Sequence, residues 1–234
     1  MAPLTARRER HGGAATHAMT IAEFWCEIFG NDQPVEVEVG PGTGTFIMAA
    51  ARQFPRTNFF GIENSRSRAH RLEQAVQAQA IRNVRILNAD AACIVGNIVP
   101  TAAVAAYHIY FPDPWWKRRH RRRRLWTPAF AAAVARTLVP GGRLFTATDV
   151  DDVFELVERT FAADGSFVRD RSGRSTRSGP TAFERKGVAR GATIHEAVFV
   201  RHPGAATSIA APITPAESPS RLRRSGVRSS SLNT

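Results

Sequence analysis

Short apolar runs alternate with amphipathic stretches along most of the chain. VEVEVG (35–40) alternates apolar and charged positions as a strand does, and it runs into PGTGTFIMAAARQF, a glycine turn feeding a helix. NFFGIE (58–63) predicts a second strand, SRSRAHRLEQAVQAQA a helix, and VRILNAD (84–90) a third strand, at the spacing of βαβ units. AVAAYHIYF (103–111) is nearly continuous in its apolar character, as a strand buried on both faces must be. TPAFAAAVARTLV predicts a helix with Thr127 as its N-cap and Pro128 at its first position. PGGRLFTATD (140–149) predicts a turn and a fifth strand, VDDVFELVERTFAAD a further helix, and SFVRD with HEAVFVR a closing pair. This alternation specifies an α/β fold: a doubly wound, mostly parallel sheet with an antiparallel final strand and helices on both faces.

The same patterning divides the chain. Residues 1–18 are polar and basic and read as a flexible arm, 19–202 as one ordered domain, and 203–234, rich in Pro, Ala, Ser and Arg with no apolar period, as a disordered basic tail. A chain of 234 residues with 43% hydrophobic positions can bury one substantial core. Its net charge of +12 points to a polyanionic partner, nucleic acid first and an anionic membrane surface second. No run approaches the roughly 18 apolar residues of a membrane span, and the basic N-terminal stretch leads into no apolar signal core, so a soluble cytoplasmic protein is expected. Cys26 and Cys93 lack metal-type spacing and are expected to be reduced core thiols, with neither a disulfide nor a metal site.

The chemistry-bearing residues gather at predicted strand ends. Gly40, Gly42 and Gly44 allow a tight turn and close approach of a ligand at a helix N-terminus. Their GxGxG spacing, with Thr45 where a dinucleotide fingerprint has its third glycine, disfavours a nicotinamide cofactor. Glu63 and Asp90 end the second and third strands, and Glu63 is placed to accept from both hydroxyls of a ribose. Asp113 lies between Pro112 and Pro114, and it is followed by Lys117, Arg118, Arg119, His120, Arg121, Arg122, Arg123 and Arg124. Each strand-end carboxylate alone is compatible with ordinary loop entry; Gly40, Glu63, Asp90 and Asp113 converging on the carboxyl edge of one sheet point to a site.

This set resembles the S-adenosylmethionine pocket of the class I, Rossmann-like methyltransferases. VEVGPGTG, FFGIE, NVRILNADA, HIYFPDPWWKRRHRRRRL, PGGRLFTATD and TAFERKG occur in the order and spacing of the bacterial tRNA (guanine-N7)-methyltransferase family, over roughly residues 35–200. The resemblance implies S-adenosylmethionine-dependent methylation of guanine N7 in tRNA, at the variable-loop guanine of position 46. It assigns Glu38, Gly40, Gly42, Gly44, Glu63, Asp90 and Asp113 to the cofactor pocket, and Asp113 as the active-site acid. Lys117, Asp149 and the Thr181–Glu184 stretch, with Thr181, Phe183 and Glu184, would hold the guanine. Arg118, Arg119, Arg121, Arg122, Arg123 and Arg124 would grip tRNA phosphates at the rim while the pocket specifies the base. Pro41, Thr45 and Trp116 depart from the family's usual residues.

Trp115, Trp116 and Trp126 could stack on bases or serve as packing anchors, His108 reads as a satisfied core histidine, and His120 as a surface contact. The alternatives are a methyltransferase acting on another RNA and an inactive RNA-binding subunit. The expected assembly is a monomer or homodimer, with tRNA as partner and neither metal nor membrane.

Overall fold

A computed structural model describes residues 19–113, 125–171 and 191–204. The elements run α1 (Ile21–Phe29), β1 (Val35–Val39), α2 (Thr45–Gln53), β2 (Asn58–Glu63), α3 (Arg66–Ala78), β3 (Val84–Asn88), α4 (Ala91–Asn97), β4 (Val104–Tyr110), α5 (Pro128–Thr137), β5 (Leu138–Thr148), α6 (Asp151–Asp164), β6 (Phe167–Arg169) and β7 (His195–Arg201). They build one seven-stranded sheet of order β3-β2-β1-β4-β5-β7-β6. Strands β1 to β5 pair in parallel, and β7 inserts antiparallel between β5 and β6. The doubly wound sheet and its antiparallel closing strand are as the sequence predicts.

Both faces are covered. Trp25 and Phe29 of α1, Val95 of α4, Phe130 and Val134 of α5, and Val157 and Phe161 of α6 pack on one side against Val37, Tyr107, Ile109 and Leu144. Phe46 and Ile47 of α2 and Leu72 and Val76 of α3 pack on the other against Phe59, Val84 and Phe145. All six residues of β2 are buried, as two-sided cover requires. Thr127 caps α5 by accepting from the Phe130 amide, with Pro128 opening the helix.

Some expectations are corrected. The strand read as 84–90 ends at Asn88, because the Asp90 side chain accepts from the Cys93 amide and turns the chain into α4. Two short helices, α1 and α4, are additions. The PGG segment does not precede β5 but interrupts it: the register with β4 jumps from Leu138 to Arg143. Cys26 is exposed on α1 and Cys93 half-buried, so neither is a core thiol. Trp126 is a packing anchor, 6% exposed and edge-on to Phe130 and Phe161. Among the described residues no helix is long and apolar enough to cross a membrane, and no cluster of three His, Cys, Asp or Glu could hold a metal.

Candidate functional site

Because β1 to β5 are parallel, their carboxyl ends share one edge of the sheet, and β1 pairs with both β2 and β4 where the strand order reverses. Crevices in open α/β sheets form at that reversal. The glycine turn leaves β1 there. Gly40 and Gly44 adopt left-handed φ of 73° and 75°. A β-carbon at Gly44 would stand 2.1 Å from Leu72 Cδ1, so this glycine is demanded by the packing of α2 on α3. At Gly40 and Gly42, by contrast, a β-carbon would meet no atom closer than 3.9 Å. The open space lies above the turn, where a ligand can approach the backbone.

Two buried carboxylates flank the turn. Glu63, 2% exposed, accepts through Oε2 from the Gly42 amide at 3.2 Å, and through Oε1 from the Ser65 amide at 2.8 Å and Arg68 Nε at 3.2 Å. It thereby fixes the distance between the turn and β2. Glu38, on β1, is 5% exposed, and its Oε2 meets no hydrogen-bond partner among the described residues. Burial pushes its carboxyl up to about 8, against the opposing hydrogen bond from the Ile47 amide, and the charge of Glu63 adds to the rise. A buried acceptor without a donor is costly, and it matches a pocket whose ligand brings one.

Asp90 is half-buried and engaged as the α4 cap. At the end of β4 the chain turns sharply: Phe111 takes a left-handed φ of 50° and its amide donates to the Ala147 carbonyl at 2.8 Å, tying β4 to β5. Asp113 follows, exposed, and Asp149 is likewise exposed just past β5. Glu38, Gly40, Gly42, Gly44, Glu63, Asp90, Asp113 and Asp149 thus all lie at or beside the carboxyl edge of strands β1 to β5. Trp115, Trp116, Lys117, Arg118, Arg119, His120, Arg121, Arg122, Arg123, Arg124, Thr181, Phe183 and Glu184 lie outside the described residues, as do the arm and residues 205–234 of the tail.

Sequence reasoning passed over Arg68, whose guanidinium sits 3.1 Å from Glu63, although its place five residues past a strand-end acid is a usable signal. It also passed over the partners of His108. The ring is 4% exposed, with Nε2 2.8 Å from Glu36 Oε2 and Nδ1 2.9 Å from the Tyr110 hydroxyl.

The family model Methyltransf_4, described as "Putative methyltransferase", matches residues 32–197. A tRNA (guanine-N(7)-)-methyltransferase of Methylococcus capsulatus is 34% identical over 183 residues, covering 74% of this chain and 78% of that protein. One from Treponema pallidum is 34% identical over 168 residues, covering 72% and 67%. One from Rhodopirellula baltica is 39% identical over 140 residues, covering 58% of this chain and about half, 52%, of its own length. Among solved structures, the 16S rRNA methyltransferase KamB superposes with a TM-score of 0.57 at 17% identity over 80% of this chain and 96% of that one. TrmN from Thermus thermophilus gives 0.52 at 18% identity, over 77% of this chain and 48% of that one. These two likenesses show the fold.

Proposed function

The chain belongs to the Methyltransf_4 family of methyltransferases, and from that premise we propose that it transfers the methyl group of S-adenosylmethionine to N7 of a guanine in tRNA, the variable-loop guanine at position 46. What supports the reading most is the sharing of one sheet edge by an open glycine cradle with two buried carboxylates and by the FPD turn that carries Asp113.

The residues fit this cofactor. Glu63 offers the remaining lone pairs of its carboxylate to ribose hydroxyls, the space above Gly40 and Gly42 admits the amino-acid end, and Glu38 holds an acceptor for a cationic group. Asp90 closes the pocket at the α4 N-terminus. When bound, the cofactor supplies an electrophilic methyl on a sulfonium. Guanine N7 carries a free lone pair, so the protein has no proton to remove from the attacking atom and needs no strong base. Its work is alignment, which can supply up to roughly 7 to 11 kcal/mol of the barrier. Asp113 places a negative charge beside a purine that turns cationic, and it can accept from the donors of the Watson–Crick edge of guanine. Asp149, Lys117, Thr181, Phe183 and Glu184 complete the base pocket, and the arginines at 118, 119 and 121–124 bind phosphates. The domain spans 19–202, between a basic arm and a basic tail, and it works in the cytoplasm.

The test is transfer of labelled methyl to an unmodified tRNA transcript, with the site mapped by cleavage specific for 7-methylguanosine and Asp113→Ala alongside. Label at one variable-loop guanine, lost in the variant, is the expected result. Label absent from tRNA, or equal in the variant, overturns the reading.

A further inference from the structure

His108 lies on the face of the sheet that carries Glu38. Register makes the two neighbours, since Glu38 pairs with His108 across β1 and β4, and His108 pairs in turn with Phe145 of β5. The ring does not serve only to fill space. Phe145 stacks on it at 5.1 Å with planes 5° apart, and Phe46 approaches it at 4.6 Å. Its two nitrogens are both engaged, by Glu36 on β1 and Tyr110 on β4. A carboxylate only accepts, so in the neutral ring Nε2–H donates to Glu36 and Nδ1 accepts from the Tyr110 hydroxyl.

Each contacted element leads into a different part of the site. Glu36 precedes the glycine turn, Phe46 is the second residue of the helix that follows it, Tyr110 directly precedes the strained Phe111 and Asp113, and Phe145 lies on the strand that ends before Asp149. A leucine would pack as well in an apolar layer, and burying an imidazole with a carboxylate costs desolvation unless both are bonded as they are here. We propose that His108 is a positioning residue for methyl transfer: its hydrogen bonds to Glu36 and Tyr110 set the Asp113-bearing end of β4 against the glycine turn. The inference rests on the methyltransferase reading above. It assigns His108 no contact with cofactor or tRNA, and predicts an effect on alignment that leaves cofactor binding alone.

The experiment compares His108→Phe, which keeps the ring stack and removes both hydrogen bonds, with Glu36→Leu and Glu36→Gln, the last of which retains an acceptor for Nε2. Steady-state transfer to tRNA, calorimetric binding of S-adenosylmethionine and thermal melting are measured on each. The expected pattern is a kcat loss on the order of 10- to 100-fold in His108→Phe and Glu36→Leu, the range a small misplacement of reacting groups produces, with Kd for the cofactor within about twofold of wild type and with Glu36→Gln restored to near wild-type kcat. Three results overturn it: wild-type kcat in His108→Phe, cofactor affinity falling in parallel with kcat, or Glu36→Gln as impaired as Glu36→Leu. Wild-type protein that binds the cofactor yet methylates no tRNA would instead count against the function on which the inference rests.

Discussion

Glu38 and Glu63, on β1 and β2, are 5% and 2% exposed and are packed into the protein, whereas Asp113 and Asp149, past β4 and β5, stand in solvent. The first pair flanks a turn whose spacing is fixed by hydrogen bonds from Gly42, Ser65 and Arg68. The second pair is carried on turns to which the Phe111 amide, donating to Ala147, and the Val150 amide, donating to Thr148 Oγ1, contribute hydrogen bonds. A small ligand of constant shape is best met by groups already desolvated and fixed, since the folded protein then bears the cost once. A large polyanion that brings its own base into place needs an accessible acid at an open rim. Under the proposed function, burial in one half and exposure in the other match what each half would receive.

The sharpest way to break this comparison is in the exposed half. Asp113→Asn is expected to lower kcat by about 10²- to 10³-fold, the loss typical when one electrostatic stabiliser of a transition state is removed, while calorimetric affinity for S-adenosylmethionine stays unchanged. A parallel loss of affinity would erase the division between the halves. In the buried half, Gly44→Ala forces a left-handed alanine and drives a methyl into Leu72, and it should cost about 2 to 4 kcal/mol in denaturant unfolding, with cofactor binding weakened alongside. Glu63→Gln removes the charge that holds Gly42 and Arg68, and a loss of cofactor affinity of about tenfold or more is expected by calorimetry with kcat at saturation little changed.

A further effect is one of pH. Glu38 has its carboxyl raised from 4.5 to about 8 in the folded protein, so between those values the folded state holds a proton that the unfolded state has released. The folded state therefore loses ground as pH rises through this window, by up to about 1.4 kcal/mol per pH unit, and levels off above about pH 8. Melting curves from pH 5 to 8 should show a decline that Glu38→Gln flattens.

Much of this was legible in the sequence because it rests on local pattern. The two-sided burial of β4 is written in an apolar run, and the cap of α5 in Thr127 and Pro128. Helix α1 was legible too, though not read, since Thr20 and Glu23 stand at capping-box spacing and Ile21, Phe24, Trp25 and Ile28 recur at helical spacing. Helix α4 is seven residues with a glycine inside, too short for any period to appear. Glu63, Asp90, Asp113 and Asp149 could be named from their strand-end positions and Glu38 from the resemblance, but their environments could not. That Glu38 Oε2 is left without a donor while Glu36, two residues earlier on the same face, takes His108 depends on the register of β1 with β4, which no local pattern encodes.

The insertion of β7 between β5 and β6 has a consequence for synthesis. Residues 195–201 emerge from a ribosome roughly a few seconds after β5, at ordinary rates of translation. Until then β5 borders the nascent sheet with an unpaired edge bearing Leu144, Phe145 and Ala147, and the short β6 has no strand to join. A ribosome stalled before residue 195 would present that edge to other chains, so the hazard of aggregation falls in the interval between the synthesis of β5 and that of β7 and ends when β7 slides home.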